Sequence, residues 1–179
     1  MALEKILSNY KFNSLDIAFI TELSFGSIRY RKFLDFWIDH TSKLNHHKQP
    51  PKLRWLLHIG LYQILKMDKV PDSACISTSV EIAKKTELNK LSGVVNAILR
   101  NATRKLKSNN LPKLPKNQAE RISLKESLPL WLINEMIAWF GIVETKKIAM
   151  SFNKKPKIDL RINSLKTTCL LYTSPSPRD

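Results

Sequence analysis

The segment LDIAFITELSFGSIRYRKFLDFW, residues 15–37, places Phe19, Leu23, Gly26, Tyr30, Phe33 and Trp37 at alternating spacings of four and three. Those intervals return to one face of an α-helix, so the segment predicts an apolar stripe on one long helix, or on two helices end to end. Ser14 is expected to cap it, with Asp16 near its positive end. Gly26 lies on the stripe, where the missing side chain either permits close approach of another helix or marks a kink.

The same period extends to both sides. Leu3, Ile6 and Leu7 share a face near the N-terminus. Pro50 and Pro51 suit the first turn of a helix lined by Leu53, Leu57, Gly60, Ile64 and Met67. Pro71 starts another, with Ile76, Val80 and Ala83 directed inward. Asn89 is expected to cap the next, which turns Leu91, Val95, Ile98 and Ala102 inward. About five amphipathic helices with short connections predict an all-α antiparallel bundle. Residues 107–128 interrupt the period with Asn109, Asn110, Pro112, Pro115 and Asn117, leaving room for a short helix around 118–124. Ser127 is expected to cap a further helix that stops at Gly141, with another over 143–152. Beyond Pro156, Ile158, Leu160 and Ile162 alternate with polar residues, which reads as the strand opening an α/β module.

The chain has 179 residues, with 30 Lys and Arg against 15 Asp and Glu, a net charge of +15. A polyanionic partner is therefore the first class to weigh. The bland alternative is a solvated lysine surface, since 22 of the basic residues are Lys and 8 are Arg, as an AT-rich coding sequence would give. The charge is uneven. Residues 100–125 carry Arg100, Arg104, Lys105, Lys107, Lys113, Lys116, Arg121 and Lys125 against Glu120 alone. Arg100, Arg104 and Lys107 fall on one helical face, a row able to neutralise phosphates or simply to complement the helix C-terminus. A second cluster is Arg29, Arg31 and Lys32. Tyr30 between them belongs either to the core stripe or to a base-stacking surface, and the stripe favours the core.

Other chemistries find little support. The four histidines, His40, His46, His47 and His58, have no Cys or carboxylate at metal-ligand spacing, and no metal is expected. Cys75 and Cys169 stand far apart with no C-x-x-C, which argues against a disulfide framework and fits a reducing cytoplasm. Cys75 reads as a small buried hydrophobe. Asp35 and Asp39 share a helix face and read as surface charge. Gly-rich nucleotide fingerprints are absent. The most apolar stretch, residues 56–65, is too short and too polar to span a bilayer.

Several strings together resemble a known family. Residues 15–29 (LDIAFITELSFGSIR) resemble the D-x-A-x-x-x-E-L-x-x-G-x-x-R signature of the NusB fold. HIGLYQILKMDKVP (58–71), SVEIAKK (79–85) and GVVNAILR (93–100) resemble its later segments in order and separation. SLPLWLINEMIAWFG (127–141) and IDLRIN (158–163) are similar to the continuation found in Sun/Fmu-type rRNA cytosine-C5 methyltransferases. The resemblance implies a NusB-like RNA-binding helical domain over residues 1–107, its first helix missing. It further implies a linker over 108–126 and the start of the methyltransferase N-terminal subdomain over 127–167. The string CLLYTSPSPRD (169–179) resembles translated sequencing-adapter or vector read-through, so residues 168–179 are set aside as a non-native tail.

For the parent enzyme the resemblance implies S-adenosylmethionine as methyl donor and small-subunit rRNA as substrate. No catalytic or cofactor residue carries over to this chain, because neither Cys75 nor Cys169 matches the family's cysteine motifs. RNA contact is expected at Arg100, Arg104, Lys105 and Lys107, joined by Arg29, Arg31 and Lys32. Ser77 stands where the family usually has Asn. Two rival readings remain at this point: a stand-alone NusB-type antitermination or ribosome-assembly factor, and a protein-interaction bundle.

Overall fold

The computed structural model describes residues 2–154. Their helices, in chain order, are α1 (Ala2–Ser8), α2 (Ser14–Arg29), α3 (Arg31–Thr41), α4 (Pro51–Lys66), α5 (Asp72–Lys84), α6 (Ser92–Lys107), α7 (Gln118–Lys125) and α8 (Leu130–Phe152). The described residues contain no strand, and the all-α class stands. The strand expected at 158–163, the tail and Cys169 lie outside the described residues.

The opening stripe resolves into two helices joined at Tyr30, whose ψ of 17° leaves the helical region. The cap of α2 is Asn13, one residue before the expected Ser14, and its side chain accepts from the Asp16 N–H at 2.7 Å. Gly26 serves close approach rather than a kink: a methyl group there would overlap the Tyr62 ring. Phe19 keeps the register of the stripe but stays 40% exposed, because α2 meets α4 only along its C-terminal half. Asn89 is not the cap of α6. Asn89–Leu91 forms a short 3-10 turn, and α6 begins at Ser92.

Helix α4 occupies the centre and packs against α2, α3, α5 and α6. Leu34, Ile38, Leu53, Leu57, Leu61, Val95, Leu99 and Ala102 form the core and are buried to within 1%. The close approach of α6 to α4 occurs at Gly60, where a Cβ would stand 2.9 Å from both Leu99 methyl carbons. Cys75 is buried beside it, its thiol donating to the Gly60 carbonyl at 3.2 Å, and burial pushes that thiol up to about 11. It is a core thiol, not a nucleophile.

Helices α3 and α4 are also joined by charge. Asp35 is 7% exposed, against the expectation of surface charge. Its carboxylate accepts from Arg54 Nε at 2.7 Å, from Arg54 Nη2, and from His58 Nε2 at 2.7 Å. Burial alone would raise its pKa, but these hydrogen bonds and the facing positive charge hold it well below the usual carboxylate range. Asp39 similarly accepts from the His46 backbone N–H and from His46 Nδ1 at 2.8 Å.

Helices α7 and α8 form a hairpin with its own small core of Ile122, Ile133 and Ala149. The two helices expected before and after Gly141 run on as one, α8, bent at Gly141, whose φ of +73° only glycine adopts freely. Ser127 does not cap α8, which starts after Pro129. Its hydroxyl instead accepts from the Phe33 N–H in the first turn of α3 at 3.0 Å. Tyr30, which precedes that turn, supplies no side-chain cap, so the donor is satisfied from the hairpin.

Two outcomes test this packing. Gly26→Val should destabilise the bundle by about 1–3 kcal/mol, read as a lower urea midpoint at unchanged slope. Asp35→Asn should cost about 3–5 kcal/mol, because Arg54 and His58 lose their buried counter-charge. In the native chain the Asp35 contribution is complete above the ordinary aspartate value of about 3.9 and disappears as pH falls towards the depressed folded value. Urea titrations at a series of acid pH values should therefore converge for the native protein and Asp35→Asn.

Candidate nucleic-acid interface

Helix α6 has two faces. Val95, Ile98, Leu99 and Ala102 pack inward, so the residues between them must look outward. Asn96, Arg100, Thr103 and Lys107 recur at four, three and four along the outer side. Ser73, Ser77, Val80 and Lys84 repeat the same interval on α5. The two stripes form the walls of a groove of about 950 Å³ between α5 and α6. Its cations are Lys84, Arg100, Arg104 and Lys107, and its one acid is Asp72. Asp72 lies 3.4 Å from Lys107 and offsets that charge in part.

The two guanidinium groups are held by neutral acceptors, which orient them and leave their charge uncompensated. Arg100 Nε donates to Asn96 Oδ1 at 2.8 Å, and Arg104 Nη2 to Asn101 Oδ1 at 3.1 Å. Asn101 is in turn fixed by donating to the Thr41 carbonyl at 2.9 Å. The Thr103 hydroxyl in the same wall has no hydrogen-bond partner among the described residues. No aromatic ring lines the groove. The arrangement suits phosphate oxygens rather than stacked bases.

The structure thus brings together Arg100, Arg104 and Lys107 of the expected set. Lys105 lies off the groove on the same helix. Arg29, Arg31 and Lys32 are elsewhere, in a recess between α2, α3, α4 and the hairpin. Lys32 Nζ donates to Ser123 Oγ and to the Leu128 carbonyl, and burial against α7 pushes its pKa down. Arg29 Nη1 reaches the Asn153 carbonyl at 3.5 Å. Arg31 alone of the three has no polar partner among the described residues and remains exposed. Tyr30 belongs to the core edge, with its ring 6.1 Å from Tyr62 and the Lys66 ammonium over its face. Lys84 and Asn96 were not foreseen as groove residues, although the matching stripes on α5 and α6 were visible in the sequence.

Among the described residues no group of three or more His, Cys, Asp and Glu side chains is arranged to hold a metal. No described helix is long and apolar enough to cross a membrane.

Comparison with known proteins agrees with this architecture. A Synechocystis protein named "Probable ribosomal RNA small subunit methyltransferase B" is 38% identical over 172 residues, 94% of this chain and 37% of that protein. A Bacillus subtilis protein of the same name is 27% identical over 168 residues, covering 93% of this chain and 36% of its own length. The ribosomal RNA small subunit methyltransferase B of Serratia proteamaculans is 28% identical over 153 residues, 86% of this chain and 34% of its own. The chain therefore spans little more than a third of the length of these curated relatives. The model of the NusB family matches residues 2–104, the stretch that builds the α1–α6 bundle. With that match across more than half of its length, and with the helical bundle it describes, the chain belongs to the NusB family.

Proposed function

We propose that this chain is the RNA-docking part of an rRNA methyltransferase, one that modifies cytosine C5 of small-subunit 16S rRNA in the cytoplasm. The observation that carries the reading is the α5–α6 groove, where four cations face one partly neutralised acid. Arg100 and Arg104 would each neutralise a phosphate, with Lys84 and Lys107 at the rim and Lys105 at the helix end. Release of condensed counterions supplies the affinity, and the contacts fix register without reading sequence. Arg31 offers a further contact outside the groove, while Arg29 and Lys32 contribute mainly by holding the hairpin to α2 and α3.

The parent's methyl donor would be S-adenosylmethionine. The described residues do not fit it: they hold no strand and no Gly-rich turn leading into a helix, the arrangement that nucleotide-type ligands use in open α/β sheets. No step of methyl transfer is assigned to this chain. The division would be that these helices position the RNA and the remainder of such an enzyme performs the chemistry. A stand-alone NusB-type factor is the weaker reading, because the similarity to the methyltransferases extends past residue 104 through most of the chain.

Binding to naked small-subunit rRNA should weaken as salt rises, with a log–log slope of about −0.7 for each single-strand phosphate neutralised. Charge reversal at Arg100 and Arg104 should make that slope shallower by about 1.4 and reduce affinity at all sequences alike. Salt-independent binding, or an Arg100→Glu/Arg104→Glu protein that binds like the native one, would refute the groove as the docking site.

A further inference from the structure

The basic run of residues 100–125 does not end at α6. Arg121 and Lys125 lie one turn apart on α7 and face Lys146 and Lys147 across a separate cleft of about 610 Å³ between α7 and the second half of α8. We propose that this cleft is a second binding surface for the phosphodiester backbone of RNA, distinct from the α5–α6 groove. The proposal rests on the reading of the chain as an RNA-docking unit.

Charge and shape support it together. Four cations ring an apolar floor that includes Ile122 and Ile142, and Glu126 is the single acid in the lining. Glu126 accepts from Asn153 Nδ2 at 2.8 Å, a neutral donor that leaves its charge in place, and pairs with none of the four cations, so the lining carries four positive charges against one negative. Arg121 Nε is oriented by the Pro115 carbonyl at 3.1 Å, a neutral acceptor that leaves its charge available. Lys147 pairs with Glu144 on its own helix at 3.0 Å. Lys125 and Lys146 have no partner among the described residues and are exposed. A merely solvated lysine surface spreads its charges over a convex face. Here two helices converge and direct like charges at one concavity with low-dielectric walls, which concentrates the positive field. No aromatic ring lines the cleft, so it offers no platform for stacked bases and favours the backbone. The site also lies beyond residues 2–104, outside the portion that matches the NusB family.

The test uses the full chain and naked small-subunit rRNA, with affinity measured across a salt series for the native protein, Lys125→Glu/Lys146→Glu and Arg100→Glu/Arg104→Glu. The cleft variant should bind roughly tenfold more weakly and lose about 1.4 from the salt slope, and its effect should add to that of the groove variant. Native affinity and slope in the cleft variant, with weakened binding in the groove variant, would overturn this inference and leave the docking groove standing. The reverse pattern would remove the groove and keep the cleft, and no salt-dependent binding by the native chain would remove both. Displacement of the rRNA from the cleft by polyglutamate as effectively as by polyuridylate of equal charge would overturn the RNA assignment. Should charge reversal abolish the helical circular dichroism, Lys125→Gln/Lys146→Gln keeps the hairpin free of added acids. The expectation is then a smaller loss of affinity and slope in the same direction, and native binding by that variant would overturn the proposal.

Discussion

Contact between the α4 backbone at Gly60 and the Leu99 side chain of α6 is the constraint on which the rest of the bundle depends. With no side chain at Gly60, the Leu99 methyl groups lie almost against the main chain of α4. Leu99 is thereby buried completely, and the rotation of α6 about its axis is fixed. A helix pinned by Val95, Leu99 and Ala102 on one side must present Asn96, Arg100 and Thr103 on the other. Helix α5, packed on the same two neighbours, closes the second wall. The cationic groove is therefore a geometric consequence of how the core is filled. The positions on α6 that carry its guanidinium groups follow from the leucines behind them.

The acids complete the picture from the inside. Asp35 is enclosed by Arg54 and His58, Asp39 by His46, Asp72 stands beside Lys107, and Glu126 is engaged by Asn153. In a chain with twice as many basic as acidic residues, the carboxylates of Asp35 and Asp39 are committed to contacts between elements, while Asp72 and Glu126 each leave their cleft with a single acid among four cations. Part of the excess positive charge lines the two clefts, where a polyanion meets several charges at once. This arrangement joins stability to recognition, because the groups that lock the helices together are also those that would otherwise neutralise the surface.

The helical bundle was legible in the sequence because burial imposes a period, and Leu53, Leu57, Val95, Ile98 and Ala102 keep it without exception. The row Arg100, Arg104 and Lys107 was legible for the same reason, since the inward residues dictate which positions face out. What escaped depends on partners distant in sequence. Asp35 looked like surface charge until Arg54 and His58, one turn apart on another helix, were placed against it. Ser127 has the composition of a cap for its own helix, yet its hydroxyl serves a helix more than ninety residues earlier. Phe19 obeys the stripe and remains exposed, because periodicity defines a face but not how far along it a neighbour extends. Asn13 displaced Ser14 as the cap by one residue, a choice between two equally competent side chains that only backbone geometry decides.

The bond from Phe33 to Ser127 is one of a small set, with those of Lys32 to Ser123 and Leu128 and of Arg29 to Asn153, that tie the two hydrophobic clusters together. If the hairpin swung away, the α3 amide would lose its acceptor at the same moment that Lys32 lost Ser123, and both would be left facing solvent beside Arg31. Attachment of the hairpin and order in the first turn of α3 are thus one equilibrium rather than two. A pull on the polypeptide at the end of α8 would reach the joint between α2 and α3 through Arg29, which meets Asn153, and Phe33, which meets Ser127.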